Sequence, residues 1–340
     1  MTIMKKLLMI ALLLPLFAGG KLYAQGCGDA PSDEGVHVFG FLQSQYQINF
    51  EDKTKNSFTF ERARIGVQGI IPYDFAYYVV VEYSPFISPN PYLLDAFVTY
   101  NRFKWAQVSI GSFKTPFGLE INSPCNGLLT AYRSTASLQM VAPLRDMGVV
   151  FMGGDRETKV QYQLGIMNGS GLKTFDNNDK KDVVARLLYK PLDFIEIGGS
   201  FRYGFPSYNN NDDSRTTFGG ELKVNHSSGL TLMAEYIMDQ GDFNRDLGGG
   251  CGGELLILGE NRSGGYATLA YRTKWEIEPV FKFDFFDSGN AQNYKENNLT
   301  FGVNYYPNDW ARVQVNYIYR AEEPTELNND RFVIQVQAIF

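Results

Sequence analysis

Ala311-Arg312-Val313-Gln314-Val315-Asn316-Tyr317-Ile318-Tyr319-Arg320 is the stretch that decides the fold. Ala311, Val313, Val315, Tyr317 and Tyr319 fall on one face of an extended chain, and Arg312, Gln314, Asn316 and Arg320 on the other. Successive strand residues point to opposite sides, so this segment reads as a strand between an apolar and an aqueous medium. The next periodic segment repeats the split, with Phe332, Ile334, Val336, Ala338 and Phe340 opposed to Arg331, Gln335 and Gln337.

Working back from there, the same signal recurs to Val36. Sixteen strands are expected, at 36–50, 58–71, 75–83, 92–100, 105–113, 144–152, 158–167, 182–190, 194–204, 214–226, 230–240, 262–274, 276–286, 297–306, 310–320 and 331–340. No helical period competes with them. The connections alternate between short turns, such as Pro72-Tyr73-Asp74, Pro191-Leu192-Asp193, Ser227-Ser228-Gly229 and Pro307-Asn308-Asp309, and longer polar ones, such as 239–261 and 321–330. A soluble sandwich has no reason to sort its loops by parity, whereas an outer-membrane barrel has short periplasmic turns on one rim and external loops on the other. Trp105, Trp275 and Trp310 all lie beside short turns, where an indole can sit at the interface. The final strand ends on Phe340, which resembles the C-terminal signal of such barrels, and its closure onto the first strand would remove both edges. The fold class expected is all-β, a transmembrane antiparallel β-barrel.

The start of the chain agrees with export. Lys5 and Lys6 precede an apolar run from Leu7 to Phe17, followed by the small Ala24. That run is too short to span a bilayer as a helix, so residues 1–24 read as a signal peptide, 25–35 as a periplasmic N-terminal segment and 36–340 as the barrel. Without Lys5, Lys6 and Lys21, the chain has 28 basic against 37 acidic residues, a formal charge of −9. Nucleic-acid binding is disfavoured on that balance. Three cysteines, Cys27, Cys125 and Cys251, allow at most one internal pair. Cys125 and Cys251 both fall in external loops and are the two that could meet. No zinc-ligand spacing occurs and no cofactor is expected.

The third external loop, Lys114 to Pro143, is the longest connection. Long loops are commonly functional, and one inserted in the lumen would set the bore. The flanking text, Phe60-Glu61-Arg62-Ala63-Arg64-Ile65-Gly66-Val67-Gln68-Gly69, Asp95-Ala96-Phe97-Val98, Gly111-Ser112-Phe113-Lys114-Thr115-Pro116-Phe117-Gly118 and Pro143-Leu144-Arg145-Asp146-Met147-Gly148, resembles the phosphate-selective porin O and P family between about residues 39 and 152. The resemblance implies a sixteen-stranded, usually trimeric outer-membrane porin of a Gram-negative bacterium, with lumenal Arg and Lys that bind oxyanions such as phosphate. This chain departs from the dense arginine ladder of the known phosphate channels.

Alternation places Arg62, Arg64, Arg186, Arg202, Lys223, Arg272, Lys282, Arg312 and Arg320 toward the lumen against Glu82, Asp95, Glu196, Glu221, Glu235 and Asp284, a wall of +3. A cationic interior raises the local anion concentration. Arg62 and Arg64 on that face, with Lys114, Arg133 and Arg145 of the third loop and its anchors, are the expected pore-lining, anion-binding set; small solutes and the lipid membrane are the expected partners, and the resemblance implies two further copies of the chain. The alternatives are a barrel enzyme of lipase or protease type and a surface-binding adhesin barrel. The first needs a base, and His37 and His226 both sit at the predicted periplasmic rim. The second rests on loops such as Gly248-Gly249-Gly250-Cys251-Gly252-Gly253, which read as flexible linker.

Overall fold

The computed structural model describes residues 35–51, 53–155, 157–172, 174–176, 178–206, 213–242 and 258–340. The signal-peptide reading, Cys27, Cys251 and the glycine run of the sixth external loop lie outside these residues. Sixteen antiparallel strands form one closed barrel. They are β1 (His37–Phe50), β2 (Lys55–Ile71), β3 (Phe75–Glu82), β4 (Tyr92–Phe103), β5 (Ala106–Lys114), β6 (Arg145–Gly153), β7 (Val160–Met167), β8 (Asp182–Leu192), β9 (Ile195–Gly204), β10 (Arg215–Asn225), β11 (Leu230–Gly241), β12 (Asn261–Tyr271), β13 (Ile277–Asp287), β14 (Lys295–Asn308), β15 (Ala311–Glu323) and β16 (Asp330–Ile339).

Each strand pairs with its sequence neighbours, and β1 pairs with β16 to close the ring. At the seam, Gly40 and Phe340 exchange backbone hydrogen bonds of 2.8 and 3.0 Å. Gly40 is required there, because a Cβ on it would lie 2.5 Å from the Arg64 carbonyl oxygen, with the Phe340 ring at 2.6 Å. Closure leaves no edge to template aggregation.

The two faces of the sheet have opposite chemistry. Across five successive strands Val98, Ile110, Val149, Ile166 and Val183 stand directly opposite one another in the ladder. All five are exposed on the outside, with Ile110 at 61 %. In β15 the inward Arg312, Gln314 and Asn316 are buried while Tyr317 and Tyr319 are exposed, as the opening stretch of sequence requires. An apolar exterior around a polar interior is the arrangement of a membrane barrel. Trp105, Trp275 and Trp310 are exposed at the short-turn rim.

The first and eighth external loops are shorter than sequence parity suggested. β2 begins at Lys55 and β15 runs to Glu323, which leaves only 51–54 and 324–329 as the first and eighth external loops. Backbone pairing continues beyond the apolar band, where side-chain alternation no longer signals a strand. The third loop also contains helix, which no periodicity announced: α1 (Leu119–Asn122), a 3₁₀ turn (Cys125–Gly127) and α2 (Thr135–Met140).

Candidate functional site

The third loop leaves β5 at Lys114 and returns at Arg145, and these two residues are register partners. Its neck is drawn together by Thr115, whose N–H donates to Leu144 O at 3.1 Å and whose hydroxyl donates to Pro143 O at 2.6 Å. Between these ends the chain folds inward. Phe117, Ile121, Ala136 and Met140 join a buried apolar cluster with Tyr78, Phe97, Phe113 and Val150 of the wall. Gly118 precedes α1 at φ 72° and ψ 165°, a region open essentially to glycine alone. Ser134 caps α2, its hydroxyl accepting from Ser137 N–H at 3.2 Å.

A largely non-helical loop in an interior carries many backbone carbonyls that need donors. The wall supplies them from every side. Arg202 donates to Val141 O and Ala142 O, each at 2.9 Å. Arg215 donates to Ala142 O at 2.6 Å and to Met140 O, and it pairs with Asp239, which also holds Arg262. Arg312 and Gln314 donate to Leu128 O at 2.8 and 3.2 Å, and Gln337 donates to Asn126 O at 3.2 Å. Ala131 N–H in turn donates to Asn316 Oδ1 at 2.7 Å.

One carboxylate of the loop ties α1, α2 and the wall together. Glu120 Oε1 accepts from Lys282 Nζ at 2.7 Å, while Oε2 accepts from the N–H and hydroxyl of Ser134, both at 2.8 Å. Burial pushes this carboxyl up, but Lys282 and the Ser134 donors more than offset that and hold it below its ordinary value. Burial raises the Tyr132 phenol, which stays neutral. The backbone N–H of Glu120 donates to Glu235 Oε2 at 3.0 Å, and Gly118 N–H to Ser200 Oγ at 3.0 Å.

The five cations expected from sequence are all buried around this loop, and each is engaged. Arg62 donates to Gln43 Oε1 at 2.7 Å and lies 3.3 Å from Glu61. Arg64 pairs with Glu82 at 2.7 Å and donates to Cys125 Sγ at 2.9 Å. Lys114 donates to Ser123 O at 2.9 Å, a carbonyl it shares with Arg133 at 3.4 Å. Arg133 also reaches Glu120 O at 3.2 Å and Cys125 Sγ at 3.6 Å. Arg145 forks onto both oxygens of Asp95 at 2.8 and 3.2 Å. The loop and its anchors thus bring the set together, but as partners of carbonyls and carboxylates. Of the five, Arg62 and Arg133 border open space.

That space is a vestibule of about 480 Å³ on the long-loop side, floored by the third loop. Arg62, Arg133, Lys282, Arg320 and Arg331 line it with Glu61, Asp284 and Glu296, together with Tyr132, Leu138 and Ile318. Sequence reasoning missed Glu61 here. The register of β1 and β2 slips between Gln43 and Ser44, which pair with Arg62 and Phe60 and leave Glu61 as the extra residue of a bulge. Strict alternation would send Glu61 outward; the bulge turns it in. The wall also buries Arg215 and Arg262 with Asp182, Asp239, Glu278 and Glu296, none of them in the alternation count, so the +3 expected shrinks toward neutrality. His226 lies in the β10–β11 turn, hydrogen-bonded to Ser228, far from the vestibule.

The family described as phosphate-selective porin O and P matches residues 36–258 and 261–340. No curated protein matches the chain. Among solved structures, an anion-selective porin from Comamonas acidovorans is similar at TM-score 0.70 and 10 % identity, over 91 % of this chain and 100 % of that one. OmpF of Salmonella typhi, in complex with daunomycin, gives 0.68 at 11 % identity, over 94 % and 100 %. The outer membrane channel DcaP of Acinetobacter baumannii gives 0.66 at 11 % identity, over 92 % and 99 %. At such identities these likenesses speak for the fold alone.

Proposed function

This chain belongs to the phosphate-selective porin O and P family, a porin of the Gram-negative outer membrane, and we propose that it passes small anions in preference to cations, acts without enzymatic turnover and assembles as a homotrimer. The observation that carries the anion preference is the lining of the vestibule, where five cationic side chains face three acidic ones. A solute entering from outside meets this excess before it meets the loop. Fixed charge at a narrow entry sets which ions accumulate there.

Arg62 and Arg133 belong to that lining, whereas Arg64, Lys114 and Arg145 support the reading differently. They hold the neck and the floor, and so act on bore more than on charge. The homotrimer rests on the family alone. Reversal potential in planar bilayers under a KCl gradient tests the preference: anion selectivity is expected, reduced by Arg62→Gln and left nearly unchanged by Arg145→Gln in protein that still folds. Cation selectivity of the unaltered protein would sink the proposal. The mass of the detergent complex tests the trimer, and a mass of one chain would refute it.

A further inference from the structure

The lining of the vestibule does not suit a multiply charged inorganic anion, because most of its positive charge is already spent. Lys282 is paired with Glu120 at 2.7 Å, Arg320 with Glu296 at 2.7 Å, and Arg62 faces Glu61 at 3.3 Å. Arg133 is bound to carbonyls of its own loop. Arg331 makes no close ion pair among the described residues, although the Glu61 carboxylate of the same lining lies within its electrostatic reach: its Nε donates to Asn49 Oδ1 at 2.9 Å, and its guanidinium lies over the Tyr132 ring at 5.1 Å. Arg62 is 1 % exposed and its Nε has no hydrogen-bond partner. One cation outside any close ion pair is what a single carboxylate needs, and the enclosed Arg62 adds its charge to the same lining. Phosphate, with up to two charges and more acceptor oxygens, needs several donors together.

The same space offers apolar surface that phosphate has no means to use. Leu138 projects from α2, Ile318 from β15 and Ile87 from the second external loop, all half-buried and all on the lining. Tyr132 adds a ring, fixed by Gln45 Nε2 at 2.8 Å. The volume of about 480 Å³ lies within the range of pockets that hold small organic molecules.

We propose that the vestibule is a binding site for organic monoanions with an apolar body, with Arg331 taking the carboxylate, Arg62 adding its charge from the wall, and Leu138, Ile318 and Ile87 covering the body. This rests on the anion preference argued above and names its substrate class. A carboxylate enters against Arg331, while its apolar part displaces water from the aliphatic lining and is stabilised by burial.

The test is block of chloride current in planar bilayers by acetate, benzoate and phosphate added on the loop side. Acetate and benzoate carry the same charge, so their ratio reads the apolar contribution without any variant. Benzoate is expected to half-block at a concentration about tenfold lower than acetate and lower than phosphate. Leu138→Asn with Ile318→Asn, in protein that keeps its heat-modifiable migration, should erase the benzoate advantage. Benzoate no stronger than acetate, or phosphate the strongest of the three, overturns the inference. A cation-selective reversal potential overturns the underlying preference instead, so the two failures are distinguishable.

Discussion

Lys282 Nζ lies 2.7 Å from Glu120 Oε1, so one fully buried ion pair joins the barrel wall to the first helix of the loop that floors the vestibule. Both partners are otherwise enclosed, and removing one strands the other in a low-dielectric site. Breaking a buried pair from one side costs about 3–5 kcal/mol. Lys282→Met or Glu120→Gln alone should therefore loosen the loop and give flickering, multi-level conductance. The double variant should be less disturbed than the sum of the singles in a double-mutant cycle on the heat-unfolding transition in detergent. Additive effects would show that the pair does not hold the loop.

The same carboxylate gives the loop an acid limit. Glu120 titrates below its ordinary value of 4.5, so its ionised form favours the docked loop. That contribution is complete above the ordinary value and is lost as the pH falls through the lowered one. The Glu120 contribution to open-channel noise should appear as an acid limb, rising as the pH falls below the ordinary carboxylate value of 4.5. Glu120→Gln should flatten this acid limb, and an acid limb that persists in that variant would place the sensitivity elsewhere.

Gly118 should tolerate no side chain. Its φ of 72° and ψ of 165° cost another residue about 1–3 kcal/mol, and a Cβ would come within 1.9 Å of Glu235 Oε1. Gly118→Ala should leave the barrel folded, as seen by β-type circular dichroism, while the loop becomes accessible to protease from the external side. Unchanged protection would mean that α1 has room to shift.

Arg215 serves the C-terminal end of α2 and Asp239 at once. Arg215→Gln should lower the heat-unfolding transition, with a loss of about 3 kcal/mol. Arg272→Gln at the periplasmic rim, where the Glu276 partner is exposed, should change it by less than about 1 kcal/mol. Equal effects would argue against the loop as the reason for the buried arginines.

Strand number and order were legible because lipid and water impose period two on both faces of the wall, and segments such as Arg312 to Arg320 record it residue by residue. The site was less so. Alternation found Arg62 and Arg64 but had no means to see that Glu61 is the extra residue of a bulge, since a bulge depends on the register with β1. The helices α1 and α2 are short and enclosed on several sides, so no one-sided apolar period marks them. That Arg202 and Arg312 face inward was readable; that they donate to loop carbonyls was not. A carbonyl has no side chain to announce it in sequence, and the loop's path fixes which ones come near.

Because the inside of this molecule is held largely by arginines, amides and carboxylates on backbone carbonyls, with one apolar cluster where the third loop meets the wall, while most of its large apolar residues face outward, it is close to a globule turned inside out. In a water-soluble domain, unfolding exposes mainly apolar surface and raises the heat capacity steeply, whereas exposing polar groups lowers it. Here the apolar cluster around Phe117, Ile121 and Met140 is the smaller part of what is uncovered when the loop and wall separate, and the arginine, amide and carboxylate contacts are the larger. The free energy of unfolding in detergent should then vary with temperature along a much flatter curve than that of a soluble chain of this length, without the pronounced loss of stability on cooling that a hydrocarbon core brings.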